Sequence, residues 1–139
     1  MTTTTEQIEA ELDRLRFRSG LEREAARQIL RAGHPVDYES QKIDYLKPAK
    51  KAKYNPDFII WKRDGTPMFI ETKGRFLTAD RSKHLLIKEQ HPDLDIRFVF
   101  QRAKQTIGKT STTTYAKWCE KKGFRFADGG KIPKEWFDE

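Results

Sequence analysis

Two short apolar runs, Phe58-Ile59-Ile60-Trp61 and Met68-Phe69-Ile70, stand on either side of Arg63-Asp64-Gly65-Thr66. Runs this short read as buried strands, and the polar, glycine-bearing break between them reads as a β-hairpin turn. The hairpin sets a parity for everything around it. A two-residue turn at Asp64-Gly65 pairs 63 with 66, and hence 57 with 72. A three-residue loop, Arg63-Asp64-Gly65, pairs 62 with 66, and hence 57 with 71. Such a loop needs a left-handed residue in last place, and Gly65 suits it.

Parity matters because of the polar residues at the strand ends. Glu71 and Lys73 lie two apart on the second strand, so their side chains emerge on one face. With the three-residue loop, Asp57 stands opposite Glu71 with side chains ~5 Å apart. Two carboxylates at that distance repel, and a divalent cation between them removes the conflict. Hard oxygen ligands favour Mg²⁺ or Mn²⁺ over zinc. A lysine beside such a metal can orient water and stabilise charge on a phosphate, which suits phosphodiester hydrolysis. The spacing also fits an ordinary exposed cross-strand ion pair. Glu22 is a third candidate. Ser19-Gly20-Leu21-Glu22 matches a capping box, in which the glutamate reaches back to the cap's N–H; the same placement puts a carboxylate at a helix start, within reach of a metal.

Elsewhere the chain alternates helical and strand-like segments. Ile8, Leu12 and Leu15 predict a helix over 6–16, with Thr5 as cap, and Leu21, Ala25 and Ile29 predict a second from Ser19, closed by Gly33 and Pro35. Residues 36–45 are strand-like, whereas Lys47 to Lys53 reads as a basic, proline-containing connector without periodicity. Asp80 is placed to cap a helix carrying Leu85, Leu86 and Ile87 that Pro92 ends. A strand over 96–100, a helix over 112–122 closed by Gly123, and a strand at Phe124-Arg125-Phe126 complete a mixed α/β domain. At 139 residues one domain is expected. No stretch approaches the ~18 apolar residues of a membrane span. A single cysteine, Cys119, precludes an internal disulfide, and the start lacks a signal-peptide pattern, so a reducing intracellular compartment is expected.

Charge points to the partner. With 28 Lys and Arg against 21 Asp and Glu, the net charge is +7, which favours phosphate-bearing partners. Lys50, Lys51 and Lys53 precede the acidic motif, and Arg75, Arg81, Lys83 and Lys88 follow it; beside a phosphodiesterase site they become backbone clamps for nucleic acid. Two other patterns lead nowhere catalytic. Ala103 to Thr110, A-K-Q-T-I-G-K-T, approaches a nucleotide phosphate loop, but Ala103 replaces its first glycine and no downstream strand ends in a metal-binding carboxylate. His34, His84 and His91 show no ligand spacing with one another or with Cys119.

Four blocks join these pieces: F-R-S-G-L-E (Phe17 to Glu22), Y-N-P-D-F (Tyr54 to Phe58), I-E-T-K-G (Ile70 to Gly74) and K-H-L-L-I-K-E-Q-H-P-D-L-D-I-R (Lys83 to Arg97). In this order they resemble the phage endonuclease I family, over about Phe17 to Trp136. The resemblance implies a Holliday-junction resolvase with a restriction-endonuclease-like PD-(D/E)xK core, a mixed sheet flanked by helices, acting on branched DNA in an infected bacterial host. It implies that Asp57, Glu71 and Glu22 bind Mg²⁺ (Mn²⁺ also serving), with the Thr72 carbonyl as a further ligand, and that Lys73 assists catalysis. It also implies a homodimer whose N-terminal elements are exchanged across the 47–53 connector. On this reading residues 1–16 are a helical extension to a nuclease domain spanning 17–139. A non-catalytic DNA-binding module, and a nuclease acting on linear duplex, are the competing expectations.

Overall fold

A computed structural model describes residues 4–47 and 50–139. Four helices, α1 (Thr5–Arg14), α2 (Gly20–Arg31), α3 (Thr78–Gln90) and α4 (Tyr115–Lys122), accompany six strands. The strands are β1 (Ile43–Lys47), β2 (Lys50–Tyr54), β3 (Phe58–Trp61), β4 (Pro67–Lys73), β5 (Asp95–Phe100) and β6 (Arg125–Ala127). They form a four-stranded sheet of order β3-β4-β5-β6 and a separate antiparallel β1-β2 pair. In the larger sheet β3 is antiparallel to β4, while β5 and β6 run parallel to it, so the fold is mixed α/β.

The β3-β4 ladder pairs Phe58 with Ile70 and Trp61 with Pro67, and Lys62 N–H donates to the Thr66 carbonyl at 2.9 Å. That is the register of the three-residue loop, and Gly65 closes it with φ +85°. Strand alternation then sorts the core. Phe58, Ile60, Met68, Ile70 and Val99 face one side and meet Ile8, Leu12, Ala25, Ala26 and Ile29 of α1 and α2. Ile59, Phe69 and Ile96 face the other side and meet Ile43, Tyr45, Tyr54 and Ile87. Phe98 and Phe100 extend that second face into an aromatic cluster with Phe76, Tyr115, Trp118 and Phe124. A sheet covered on both faces needs near-continuous apolar strands, as this sequence provides.

Several local expectations change. Helix α1 is capped by Thr4 rather than Thr5, with Gln7 completing a capping box. Its Ile8 and Leu12 are buried in the same cluster as the sheet, so the segment set apart as an extension packs as part of the core. In 36–45 regular strand starts only at Ile43; before it, Tyr38 makes a single bridge to Phe58. The segment 47–53 is not aperiodic. Lys50 to Tyr54 pairs antiparallel with Ile43 to Lys47, its lysines facing solvent while Tyr54 is buried; positions 48 and 49 lie outside the described residues. Helix α3 starts at Thr78, and Asp80 acts from its first turn, accepting the Leu77 N–H at 3.0 Å. Helix α4 starts at Tyr115, capped by Thr114, and Gly123 ends it in the left-handed conformation. Among the described residues no helix is long and apolar enough to cross a membrane.

Candidate active site

Strand β4 carries the site at its C-terminal end. Glu71 and Lys73 share the parity of Phe69 and so project toward α3, while Thr72 projects toward α2. Beyond the start of β3 the ladder would set Thr72 against Pro56. Instead the Asp57 carboxylate takes the Thr72 N–H, at 2.9 Å, and the Thr72 hydroxyl, also at 2.9 Å. Asp57 therefore sits where the two layers meet, with Glu71 and Lys73 from one side and α2 from the other. The N–H and C=O of one strand residue open to the same side, so the Thr72 carbonyl borders this cleft as well.

Helix α2 brings Glu22. Ser19 caps the helix by accepting the Glu22 N–H at 3.2 Å, but the return bond of a capping box is not made. The Glu22 carboxylate accepts instead from Arg18 N–H at 2.9 Å and from the Tyr38 hydroxyl at 3.1 Å. It is buried and turned toward Asp57. Glu39 completes the group. It adopts φ +50°, an uncommon backbone for a non-glycine residue, and its N–H donates to the Asp57 carbonyl at 3.1 Å. Arg18 pairs with it at 2.9 Å. Among the described residues, Glu22, Glu39 and Asp57 are the one set of three whose ligand oxygens all lie within 4.8 Å of one another. Glu71 lines the same cleft across from this trio.

Electrostatics mark the cleft as a place that wants a cation. Burial, and then the Asp57 charge, push the Glu71 carboxyl up to about 8, although Lys73 and the Tyr54 hydroxyl oppose the shift. Glu22 is raised by burial and by Asp57, and Asp57 is itself raised by burial. The donors are oxygens throughout, and the Asn55 side-chain oxygen, which also lines the cleft, is buried without a hydrogen-bond partner. An oxygen-rich, carboxylate-crowded site of this kind fits a hard divalent metal.

Two further contacts hold the chemistry in place. The fully buried Tyr54 donates its hydroxyl to Glu71 at 2.8 Å. Burial, then the charge of Glu71, keeps that phenol protonated. Lys73 Nζ donates to Asp80 at 3.1 Å and lies 3.8 Å from Glu71. Arg18, Glu39, Tyr54, Asn55 and Asp80 were not among the residues selected from the sequence. Tyr54 and Asn55 stand inside the Y-N-P-D-F block, which is the signal that could have found them; Glu39 sits in an aperiodic loop that carries none.

The basic residues divide. Lys53 and Lys83 line the cleft, Lys53 also pairing with Asp44 at 3.1 Å and Lys83 lying over the Tyr54 ring. Arg75 is exposed just beyond it, and Arg81 is held near the start of α3 by Phe76 and Thr78. Lys50 and Lys51 are exposed on β2. Lys88 is elsewhere: it donates to the Gly123 carbonyl at 3.1 Å, beside the start of β5 at the opposite end of the strands.

Residues 4–139 match the phage endonuclease I family. Endonuclease I of Escherichia phage T7 is 46% identical over 123 residues, covering 88% of this chain and 79% of the T7 protein. Endodeoxyribonuclease 1 of Enterobacteria phage T3 is 46% identical over 125 residues, covering 86% of this chain and 80% of the T3 protein. The match starts at Thr4, the cap of α1, ahead of the Phe17 boundary drawn from the sequence blocks. With the cleft built by these segments and the similarity spanning nearly all of them, the chain belongs to the phage endonuclease I family.

Proposed function

We infer that the protein is a Mg²⁺-dependent endodeoxyribonuclease that cuts branched DNA, four-way junctions above all. The observation that carries the reading is the meeting of Asp57, Glu71, Lys73 and Glu22 in one polar cleft rimmed by Lys53 and Lys83. Asp57, Glu71 and Glu22, with the Thr72 carbonyl and Glu39 beside them, would hold the metal, which when bound supplies a polarised water and charge neutralisation at the phosphate. Lys73, steadied by Asp80, is placed to orient the attacking water and to meet charge on the scissile phosphate. Tyr54 fixes the Glu71 carboxylate by a hydrogen bond that stays intact, because its phenol does not ionise at working pH. The mixed sheet with its antiparallel β3-β4 hairpin supports a restriction-endonuclease-like core.

The protein acts as a homodimer, since resolving a junction without a flap needs two related incisions and a two-fold dimer supplies two related sites. In the single chain β2 pairs back on β1 and Glu22 meets its own Asp57; exchange of the N-terminal elements through the 47–53 segment would rebuild the same meeting between subunits, with Glu22 of one chain completing the site of the other. The deciding test is nicking of a synthetic four-way junction against a linear duplex of the same sequence, with Mg²⁺ and with EDTA. Metal-dependent cutting confined to the junction supports the reading. Binding without cutting would replace it by a DNA-binding module, and equal cutting of both substrates by a duplex nuclease.

A further inference from the structure

The phosphate-loop-like stretch excluded as a nucleotide site remains to be explained. Residues 101–111 leave the C-terminal end of β5 beside the active site: Lys73 pairs with Phe100, and Gln101 N–H donates to the Lys73 carbonyl at 3.1 Å. One Cα step is 3.8 Å, so Arg102 starts almost immediately beyond the catalytic strand. From Ile96 to Cys119 the sequence contains no acidic residue. Arg102, Lys104 and Lys109 are exposed, and none of the three pairs with a carboxylate among the described residues. Several cations elsewhere are spent internally: Arg23 and Arg27 on Glu9, Lys62 on Asp95, Arg97 on Asp95 and Glu139.

The loop is also held. Ala103 is buried; its N–H donates to the Asp128 carboxylate at 2.8 Å, and its carbonyl accepts from Ala116 at 3.0 Å. Gln105 accepts from Tyr115 N–H at 2.9 Å, and Ile107 N–H donates to Thr113 at 2.8 Å, with the Ile107 side chain packed on the aromatic cluster. Asp128, the one acid bordering the hollow beside Arg102 and Lys104, is engaged by that bond to Ala103. Three free cations on a stapled backbone make a preorganised contact surface for a polyanion, with little ordering left to do on binding. The neighbouring Gln105, Thr106 and Thr110 supply neutral donors of the kind that accompany lysine and arginine at DNA phosphates.

We propose that loop 101–111 is a phosphate-binding rail, in which Arg102, Lys104 and Lys109 grip the backbone of the DNA arm running past β5 from the active site. This rests on the endonuclease reading. The rail positions substrate and takes no part in hydrolysis.

The test compares two triple variants that each remove three positive charges. One is Arg102→Ala/Lys104→Ala/Lys109→Ala. The other, Arg63→Ala/Lys121→Ala/Lys122→Ala, takes them from the opposite end of the strands, where the β3-β4 turn and the C-terminal end of α4 lie. Junction affinity is measured in EDTA across a KCl series, and single-turnover cleavage in Mg²⁺ at saturating enzyme. The rail variant is expected to weaken binding at least about tenfold at roughly 100 mM salt, and to flatten the log–log salt slope by about 2.7, or 0.9 for each lost phosphate contact. Its saturated cleavage rate should stay within about twofold of wild type, and the control should keep the wild-type slope. The three single variants, each expected to take about 0.9 off the slope, guard against a fold defect in the triple. An unchanged slope, or equal flattening in both triples, overturns the proposal. A wild-type protein that neither binds nor cuts the junction overturns the functional reading itself.

Discussion

Replacing Glu71 by glutamine keeps the size of the side chain and an acceptor for the Tyr54 hydroxyl while removing the charge. It therefore separates what the carboxylate does for chemistry from what it does to the fold. In the metal-free protein the Glu71 carboxyl is raised from 4.5 to about 8, by burial first and by Asp57 second. A raised acid binds its proton more tightly when folded, so its contribution to stability is complete below pH 4.5 and is lost as pH rises through 8. Over that interval full linkage amounts to roughly 4–5 kcal/mol at about 1.36 kcal/mol per pH unit. Water entering the open cleft reduces this, and about 2–4 kcal/mol is the expected gain for Glu71→Gln at pH 8 in EDTA. At roughly 3–5 °C per kcal/mol for a chain of this size, the melting temperature should rise by about 6–20 °C.

Thermal or urea unfolding at pH 4.5 and pH 8, with EDTA and with Mg²⁺, gives the comparison. The variant should match wild type near pH 4.5, exceed it at pH 8 without metal, and lose that advantage when Mg²⁺ stabilises the wild-type carboxylates by binding the folded state. Junction cleavage should be abolished throughout. A variant no more stable than wild type at pH 8 in EDTA, or one equally stabilised at both pH values, would refute the argument that crowded carboxylates strain the empty site.

Tyr54→Phe removes the 2.8 Å hydrogen bond to Glu71; at about 1.5–3 kcal/mol for a bond to a charged group, cleavage should fall roughly 10- to 100-fold while junction affinity, read by gel shift, is unchanged. His84 is fully buried with neither ring nitrogen partnered, and burial lowers it from 6.5 to about 3. A depressed base contributes stability above pH 6.5 that is lost as pH falls toward 3, so His84→Leu should flatten the acid limb of an unfolding-against-pH curve over that window. Arg97, fully buried between Asp95 and Glu139 at the end of the strands away from the cleft, should cost about 3–5 kcal/mol as Arg97→Ala in urea titrations, with cleavage at low temperature retained. Glu22→Ala and Glu71→Ala homodimers should each be inactive, whereas a co-refolded mixed dimer should nick junctions but rarely complete paired cuts; no activity above the homodimers would exclude chain exchange.

What could be read in advance, and what could not, follows from the range of the interactions involved. Glu71 and Lys73 share a face because a strand alternates, and Gly65 permits the three-residue loop whose register brings Asp57 beside the end of β4, where its carboxylate takes Thr72; both are local facts. Strand β2 escaped because its solvent-facing residues are lysines and one of its inward residues is Ala52, so the alternation carries almost no hydropathy contrast. Glu22 was ambiguous for a different reason. At a helix start a capping carboxylate and a metal-facing carboxylate use the same sequence pattern, and the choice is made by partners far along the chain. The Tyr38 hydroxyl draws Glu22 away from the cap, and Tyr38 is itself held by its bridge to Phe58. Glu39 depends wholly on that bridge, which places the loop beside β3 and lets a left-handed residue present its carboxylate to Asp57. The cleft lies where the α2 layer, the end of β4 and the α3 layer meet. Residues contributed by a strand's own periodicity were therefore legible, while those delivered by packing between layers had to wait for the fold.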